Sequence, residues 1–231
     1  MISVKFSDRT KKLIGNNNFK KISRARIAIF GVGGVGGTVA EIMTRIGIKN
    51  IYLIDYDIVD ITNLNRQILF NKTDINKKKV FVAKKHLKKI NHNSNIYCFN
   101  FVCNRKNIKL LPFEKFDYVI DAIDDVKNKV TLIKYLIKNK ICFISSLGMG
   151  NRVDLLKVKI STLDKTFNDP LAKKIRNKLR DSNIDLSKIN VVSSDELPIK
   201  NKKINSIIMV PFMAGLLITD YIIKKIINES N

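Results

Sequence analysis

Short apolar runs alternate, through the first 150 residues, with longer segments whose apolar residues recur every three or four positions. The run Arg26-Ile27-Ala28-Ile29-Phe30 reads as a strand. It is followed over 34–46 by a helical pattern carrying Val35, Val39, Ile42, Met43 and Ile46, which Gly47 stops. A second strand is predicted over 50–54, then a long, partly polar connection over 56–75. A basic helix over 76–90 lines Val80, Ala83, Leu87 and Ile90 along one side. Strands at 95–101, within 116–121 and over 141–145 follow, with a turn around Pro112 and a helix over 126–138 that turns Val130, Ile133, Leu136 and Ile137 inward. A polar helix and turn at 7–24 precede the first strand. Strands alternating with crossover helices predict an α/β fold, a Rossmann-like, mostly parallel sheet with helices on both faces.

The pattern changes after 150. Val153, Val158 and Ile160 are interleaved with basic residues, which predicts a half-exposed strand within 153–160 and a smaller antiparallel C-terminal extension of the sheet. Asp169-Pro170 is an N-cap followed by a first-turn proline, so a helix starts there. Residues 181–205 are polar and poor in pattern, and 211–227 reads as an apolar helix. No repeat or low-complexity linker separates these parts. The chain 1–231 therefore reads as a single domain, with a nucleotide-binding core over about 20–150 and substrate-side elements over about 151–231.

Charge adds a candidate partner. Forty-three basic residues face twenty acidic ones, a net charge of +23 that attracts polyanions. Lys, Asn and Ile are abundant throughout, as in Asn16-Asn17-Asn18, so composition bias is the competing reading. The segment with Lys173, Lys174, Arg176, Lys178 and Arg180 is dense enough to favour phosphate-backbone contact over plain solvated surface. The longest apolar run, 207–218, contains Pro211 and Gly215 and falls short of a bilayer span, so a buried segment or a subunit interface is expected and no membrane contact. Cys98, Cys103 and Cys142 form neither a CxxC pair nor a disulfide framework, and no signal-peptide pattern opens the chain; a reducing cytoplasm fits. The only histidines, His86 and His92, lie in the basic-helix region, which speaks against a Cys–His nucleophile or a His/Cys metal site.

The chemistry-bearing residues cluster at predicted strand ends. Gly31-Val32-Gly33-Gly34-Val35-Gly36-Gly37 joins the first strand to its helix, an arrangement that brings backbone N–H groups and a helix N-terminus to phosphates. It does not separate NAD, FAD and ATP. Asp55 ends the second strand, where a carboxylate can hold a ribose; Asp57 and Asp60 lie beside it and could equally solvate a loop. Arg66, within Asn63-Leu64-Asn65-Arg66-Gln67, offers a guanidinium fork for phosphate oxygens, a group that an enzyme cleaving between α and β phosphates needs and a redox site does not. Lys79 sits among Lys77, Lys78 and Lys84, and composition alone does not select it. Asp121, Asp124 and Asp125 end another strand on the same sheet edge. There a carboxylate suits Mg²⁺, or caps the next helix; Asp124 and Asp125 both remain candidates for either task.

Taken in order, Gly31, Gly33, Gly34, Gly36, Asp55, Asp57, Asn63, Arg66, Lys79 and the segment Asp121-Ala122-Ile123-Asp124 resemble the adenylation domain of the ubiquitin-activating-enzyme superfamily. Members that activate sulfur-carrier proteins usually carry two zinc-binding CxxC pairs, absent here. Three further segments, 6–15, 165–176 and 191–198, resemble the tRNA threonylcarbamoyladenosine dehydratases within that superfamily. Some of these have cysteine where this chain has Val191, so that cysteine has no catalytic role here. The resemblance implies a cytoplasmic adenylate-forming enzyme that uses ATP and Mg²⁺ to cyclise threonylcarbamoyladenosine at position 37 of tRNA. Asp55 would hold the ribose, Asn63, Arg66 and Lys79 the phosphates, and Asp124 the metal ion. Arg9 resembles an arginine delivered by a partner subunit, which implies a homodimer; Lys173, Lys174, Arg176 and Arg180 would meet tRNA, and a sulfurtransferase-system protein is a candidate accessory. Asn76 stands where the family often has glycine. The alternatives are adenylation of a Gly-Gly carrier-protein tail and a non-catalytic nucleotide- and RNA-binding module. An NAD-dependent oxidoreductase is disfavoured by Arg66.

Overall fold

The computed structural model describes residues 6–180 and 182–228. Among the described residues, seven strands form one sheet: β1 (Arg26–Phe30), β2 (Asn50–Ile54), β3 (Asn95–Phe99), β4 (Tyr118–Asp121), β5 (Phe143–Ser146), β6 (Val158–Thr162) and β7 (Asn190–Ser194). Their spatial order is β3-β2-β1-β4-β5-β7-β6. Every neighbouring pair is parallel except β6 with β7. The expected parallel core and antiparallel extension are both present, and the extension is joined to the core by the pairing of Ser145 with Val191 and Ser146 with Val192.

Strand alternation distributes side chains to two faces. Ile27, Ile29, Ile51 and Leu53 enter a core with residues of α3 (Gly34–Ile46), α4 (Lys79–Ile90) and α7 (Met209–Asn228). Ala28, Phe30, Tyr52 and Ile54 point the other way, toward Phe113, Phe116 and the Leu132 and Leu136 side chains of α5 (Val126–Lys138). A third cluster joins Val130 and Ile133 of α5 to Ile175 and Leu179 of α6 (Pro170–Arg180). Burial on both faces is why these strands read as unbroken apolar runs.

Several boundaries differ from the sequence expectation for local reasons. The N-terminal polar segment is two helices, α1 (Asp8–Ile14) and α2 (Asn16–Arg24), broken at Gly15. The basic helix starts at Lys79 rather than 76, because Asn76 is left-handed at φ 66° and Lys78 bridges to Ile58 in extended form. The strand expected within 153–160 moves to 158–162, because Asp154 caps a 3₁₀ turn through the Leu156 N–H at 2.9 Å. β7 lies inside the patternless 181–205 stretch, with Val191 and Val192 fully buried. α7 begins two residues ahead of Pro211, which occupies its first turn and needs no N–H bond there. None of the described helices is long and apolar enough to cross a membrane.

Candidate active site

The strand order reverses between β1 and β4: the chain passes outward from β1 through β2 and β3, then returns beside β1 as β4 and continues the other way. The crevice beyond the carboxyl ends at such a reversal is where open α/β sheets bind ligands. A cavity of about 610 Å³ lies there. Gly31, Gly33 and Gly34 form one wall. Gly31 has φ 86°, and a Cβ on it would lie 2.6 Å from the Ala122 carbonyl oxygen, so the turn lies directly against the end of β4. A Cβ on Gly36 would fall 1.9 Å from the Gly31 carbonyl oxygen. Gly36 thus acts at one remove, letting α3 close onto the turn so that its N-terminus meets the cavity.

Asp55 lines the cavity and ties the turn to β2. Its Oδ2 accepts the Val32 N–H at 2.6 Å and its Oδ1 the Asp57 N–H at 2.8 Å. Burial pushes the Asp55 carboxyl above its ordinary pKa, against the opposing pull of those N–H groups and Lys79. Lys79, in the first turn of α4, is 5% exposed, and its Nζ is 2.9 Å from Asp57 Oδ2. Lys77, Lys78 and Lys84 all point to solvent. Burial and a place on the cavity set Lys79 apart from those three lysines.

The long connection is ordered by its own turns. Asp60 and Asn63 cap each other across the 3₁₀ turn Ile61–Asn63, with the Thr62 N–H 2.8 Å from Asp60 Oδ1 and the Asp60 N–H 3.1 Å from Asn63 Oδ1. The Asn63 carbonyl then accepts the N–H groups of Arg66 and Gln67. This places Asn63, Arg66 and Gln67 on the cavity wall. The Arg66 guanidinium is held by the Thr62 carbonyl at 2.8 Å and Asn65 Oδ1 at 3.0 Å.

The β4 end divides its three carboxylates among three tasks. Asp121 is fully buried, 2.9 Å from the equally buried Lys129 Nζ, and accepts the Ser145 hydroxyl at 2.8 Å. Asp125 caps α5 by accepting the Asn128 N–H at 2.8 Å. Asp124 is exposed and lines the cavity. Lys129 also donates to the Ile123 carbonyl at 2.8 Å and so fastens the loop that carries Asp124.

The second half of the chain also lines the cavity, through Gly148, Gly150, Arg152, Asp169 and Lys174. Asp169 caps α6 through the Ala172 N–H and accepts the Gly148 N–H, both at 2.9 Å, which links the loop after β5 to the helix. Arg176 departs from its expected outward role: it is half-buried and donates to the Thr166 carbonyl at 2.8 Å, while Lys173, Lys174 and Arg180 are exposed. Arg9 is exposed on α1 and lies outside this chain's own cavity. Sequence reasoning did not single out Lys129, which fastens the loop carrying Asp124, nor Arg152 and Gln67, which line the cavity. The first had a legible signal, a lysine on the inward face of an amphipathic helix beside Val130 and Ile133.

The geometry agrees with what the chain is similar to. The ThiF family model matches residues 7–231. The Bacillus subtilis tRNA threonylcarbamoyladenosine dehydratase is 35% identical over 191 residues, covering 83% of this chain and 75% of the relative. Its Escherichia coli counterpart is 35% identical over 171 residues, 74% of this chain and 64% of that protein. Crystal structures of the E. coli enzyme in complex with AMP and with ATP superpose with TM-scores of 0.90 at 30% identity, each covering 97% of the solved chain. This chain therefore belongs to the ThiF family, on its tRNA threonylcarbamoyladenosine dehydratase branch.

Proposed function

We propose that the protein is an ATP-dependent tRNA threonylcarbamoyladenosine dehydratase, acting through an acyl adenylate. The observation that carries this reading is the gathering of Arg66, Lys79, Asp55 and Asp124 around one cavity at the strand reversal, opened to a basic second-half wall at Lys174. Asp55 accepts the ribose, and Asn63, Arg66 and Lys79 hold the phosphates. The threonyl carboxylate attacks the α phosphorus and the bond to pyrophosphate breaks. The carbamoyl group of the same modification then attacks the acyl carbon, AMP leaves, and a ring closes with net loss of one water. Arg66 and Lys79 stabilise charge building on the α phosphate, and no enzymic nucleophile is required.

Mg²⁺ fits the residues present. Among the described residues no three His, Cys, Asp or Glu side chains gather into a protein-only cage. Mg²⁺ is commonly bound through one or two carboxylates plus substrate phosphates, and Asp124 on the cavity wall supplies one. When bound, the ion neutralises phosphate charge.

The assembly proposed is a homodimer, with 1–231 acting as one adenylation unit. Phe212 and Leu216 stay exposed on α7 although Val210, Ala214 and Ile218 are buried, and with Leu155 and Met213 they line an apolar groove suited to a second copy. Arg9, outside its own cavity, would reach the partner's phosphates.

The test is incubation with ATP, Mg²⁺ and tRNA carrying the modification, followed by nucleoside mass spectrometry. Loss of one water from the modified nucleoside, with AMP and pyrophosphate released, is expected. Adenylation of a Gly-Gly protein tail in place of that loss would establish the carrier-activating alternative.

A further inference from the structure

Arg152 is a wall residue that neither nucleotide nor metal explains. Its side chain is 1% exposed, though it lines the cavity shared with Arg66. One terminal nitrogen donates to the Ser194 carbonyl and the other to the Asn168 carbonyl at 2.8 Å. Its Nε–H is buried with no acceptor in the protein. The nearest carboxylate, Asp169 Oδ2, is 3.9 Å away, and both Asp169 oxygens already accept backbone N–H groups. Asp169, Glu196 and Asp195 surround the guanidinium with negative charge, yet its Nε–H is left without an acceptor, and an unpaired buried donor is costly. Burial pulls the pKa of Arg152 downward, and Asp169, Glu196 and Asp195 only partly oppose it.

We infer that Arg152 is the specificity residue for the substrate: its unpaired Nε–H receives the threonyl carboxylate before it attacks the α phosphorus. This rests on the proposed dehydratase reading and deepens it. Arg66 holds the phosphates and Arg152, lining the same cavity, holds the acid, so that both reactants are brought into one site. A donor committed to the carboxylate also lets the site distinguish modified from unmodified tRNA, because the unmodified adenosine leaves that donor unpaired.

The experiment compares binding of tRNA carrying the modification with binding of the same tRNA lacking it, for the wild type, Arg152→Gln and Arg152→Lys, with AMP affinity and melting temperature measured alongside. The wild type is expected to prefer the modified tRNA, and Arg152→Gln to lower that preference about tenfold to hundredfold, the loss of one hydrogen bond to a charged group. Affinity for AMP and for unmodified tRNA should be retained. Arg152→Lys should fall between, keeping the charge and losing the fixed fork. An unchanged preference in Arg152→Gln, or an equal loss of AMP affinity, overturns the inference; the latter would show that Arg152 only braces the wall. Should Arg152→Gln fail to fold, Arg152→Lys decides by the same readout, and wild-type preference in it overturns the inference. The parent reading fails separately, if wild-type protein with ATP and Mg²⁺ removes no water from the modified nucleoside.

Discussion

Replacing Lys129 by methionine tests whether the buried pair beneath the active site holds it in place. Lys129 and Asp121 are both fully buried, with Nζ 2.9 Å from Oδ2. Lys129 also donates to the carbonyls of Ile123 at 2.8 Å and Asp121 at 3.3 Å. Methionine conserves the length of the side chain and removes the charge. Breaking a buried pair by deleting one partner costs about 3–5 kcal/mol, chiefly because the other charge is stranded. Asp121 keeps the Ser145 hydroxyl at 2.8 Å and the Ile123 N–H at 3.1 Å, which places the cost at the lower end, about 3 kcal/mol. For a chain of this size that corresponds to a melting-temperature drop of about 6–12 °C. Urea unfolding with a parallel thermal melt measures it. The double variant Lys129→Met/Asp121→Asn removes both charges and should recover at least half of the loss. A single variant within about 1 kcal/mol of wild type, or a double variant no more stable than the single, would refute the reasoning. Since Lys129 fixes the Ile123 carbonyl next to Asp124, nucleotide affinity should decline with stability in the single variant.

Further outcomes are expected at four places. Arg66→Ala should lower turnover by at least about a hundredfold, the scale of losing a charged group that acts in the transition state, while tRNA binding changes little; equal losses in both assays would remove its catalytic assignment. Asp55 has its pKa raised by burial, so its contribution to stability is full below the unfolded-state pKa and is lost as pH rises through the folded-state one. The same shift means that AMP affinity should begin to fall on acidification above the ordinary carboxylate range, and Asp55→Asn should abolish that step in a calorimetric titration; an unaltered pH profile in the variant counts against the ribose role. Neutralising Lys173, Lys174 and Arg180 together should reduce the salt dependence of tRNA binding, by a slope of about 0.7–0.9 for each phosphate no longer neutralised. Arg176→Ala should instead cost about 1–3 kcal/mol of stability, because its guanidinium is spent on Thr166. An unchanged salt slope in the triple variant would return this helix to ordinary solvated surface.

The sequence by itself determined the parallel core, the glycine turn, the helix start at Asp169 and the carboxylates at the strand ends. These rest on interactions within a few residues: side-chain parity along a strand, helical spacing, a cap, or the absence of a Cβ at Gly31. It also carried Arg66, because the ordered motif around it is contiguous. What only the tertiary structure decided involves partners distant in the chain. Lys79 is separated from its three neighbours by burial against Asp57, Asp124 from Asp121 by the Lys129 pair, and Arg176 from the other helix cations by Thr166. β7 was invisible because two valines are too short a pattern, and it becomes a strand only when β5 and β6 supply its hydrogen bonds on either side. Arg152 lies deepest in that category: the sequence presents one more cation in a basic chain, and only packing shows that water has been taken away from it.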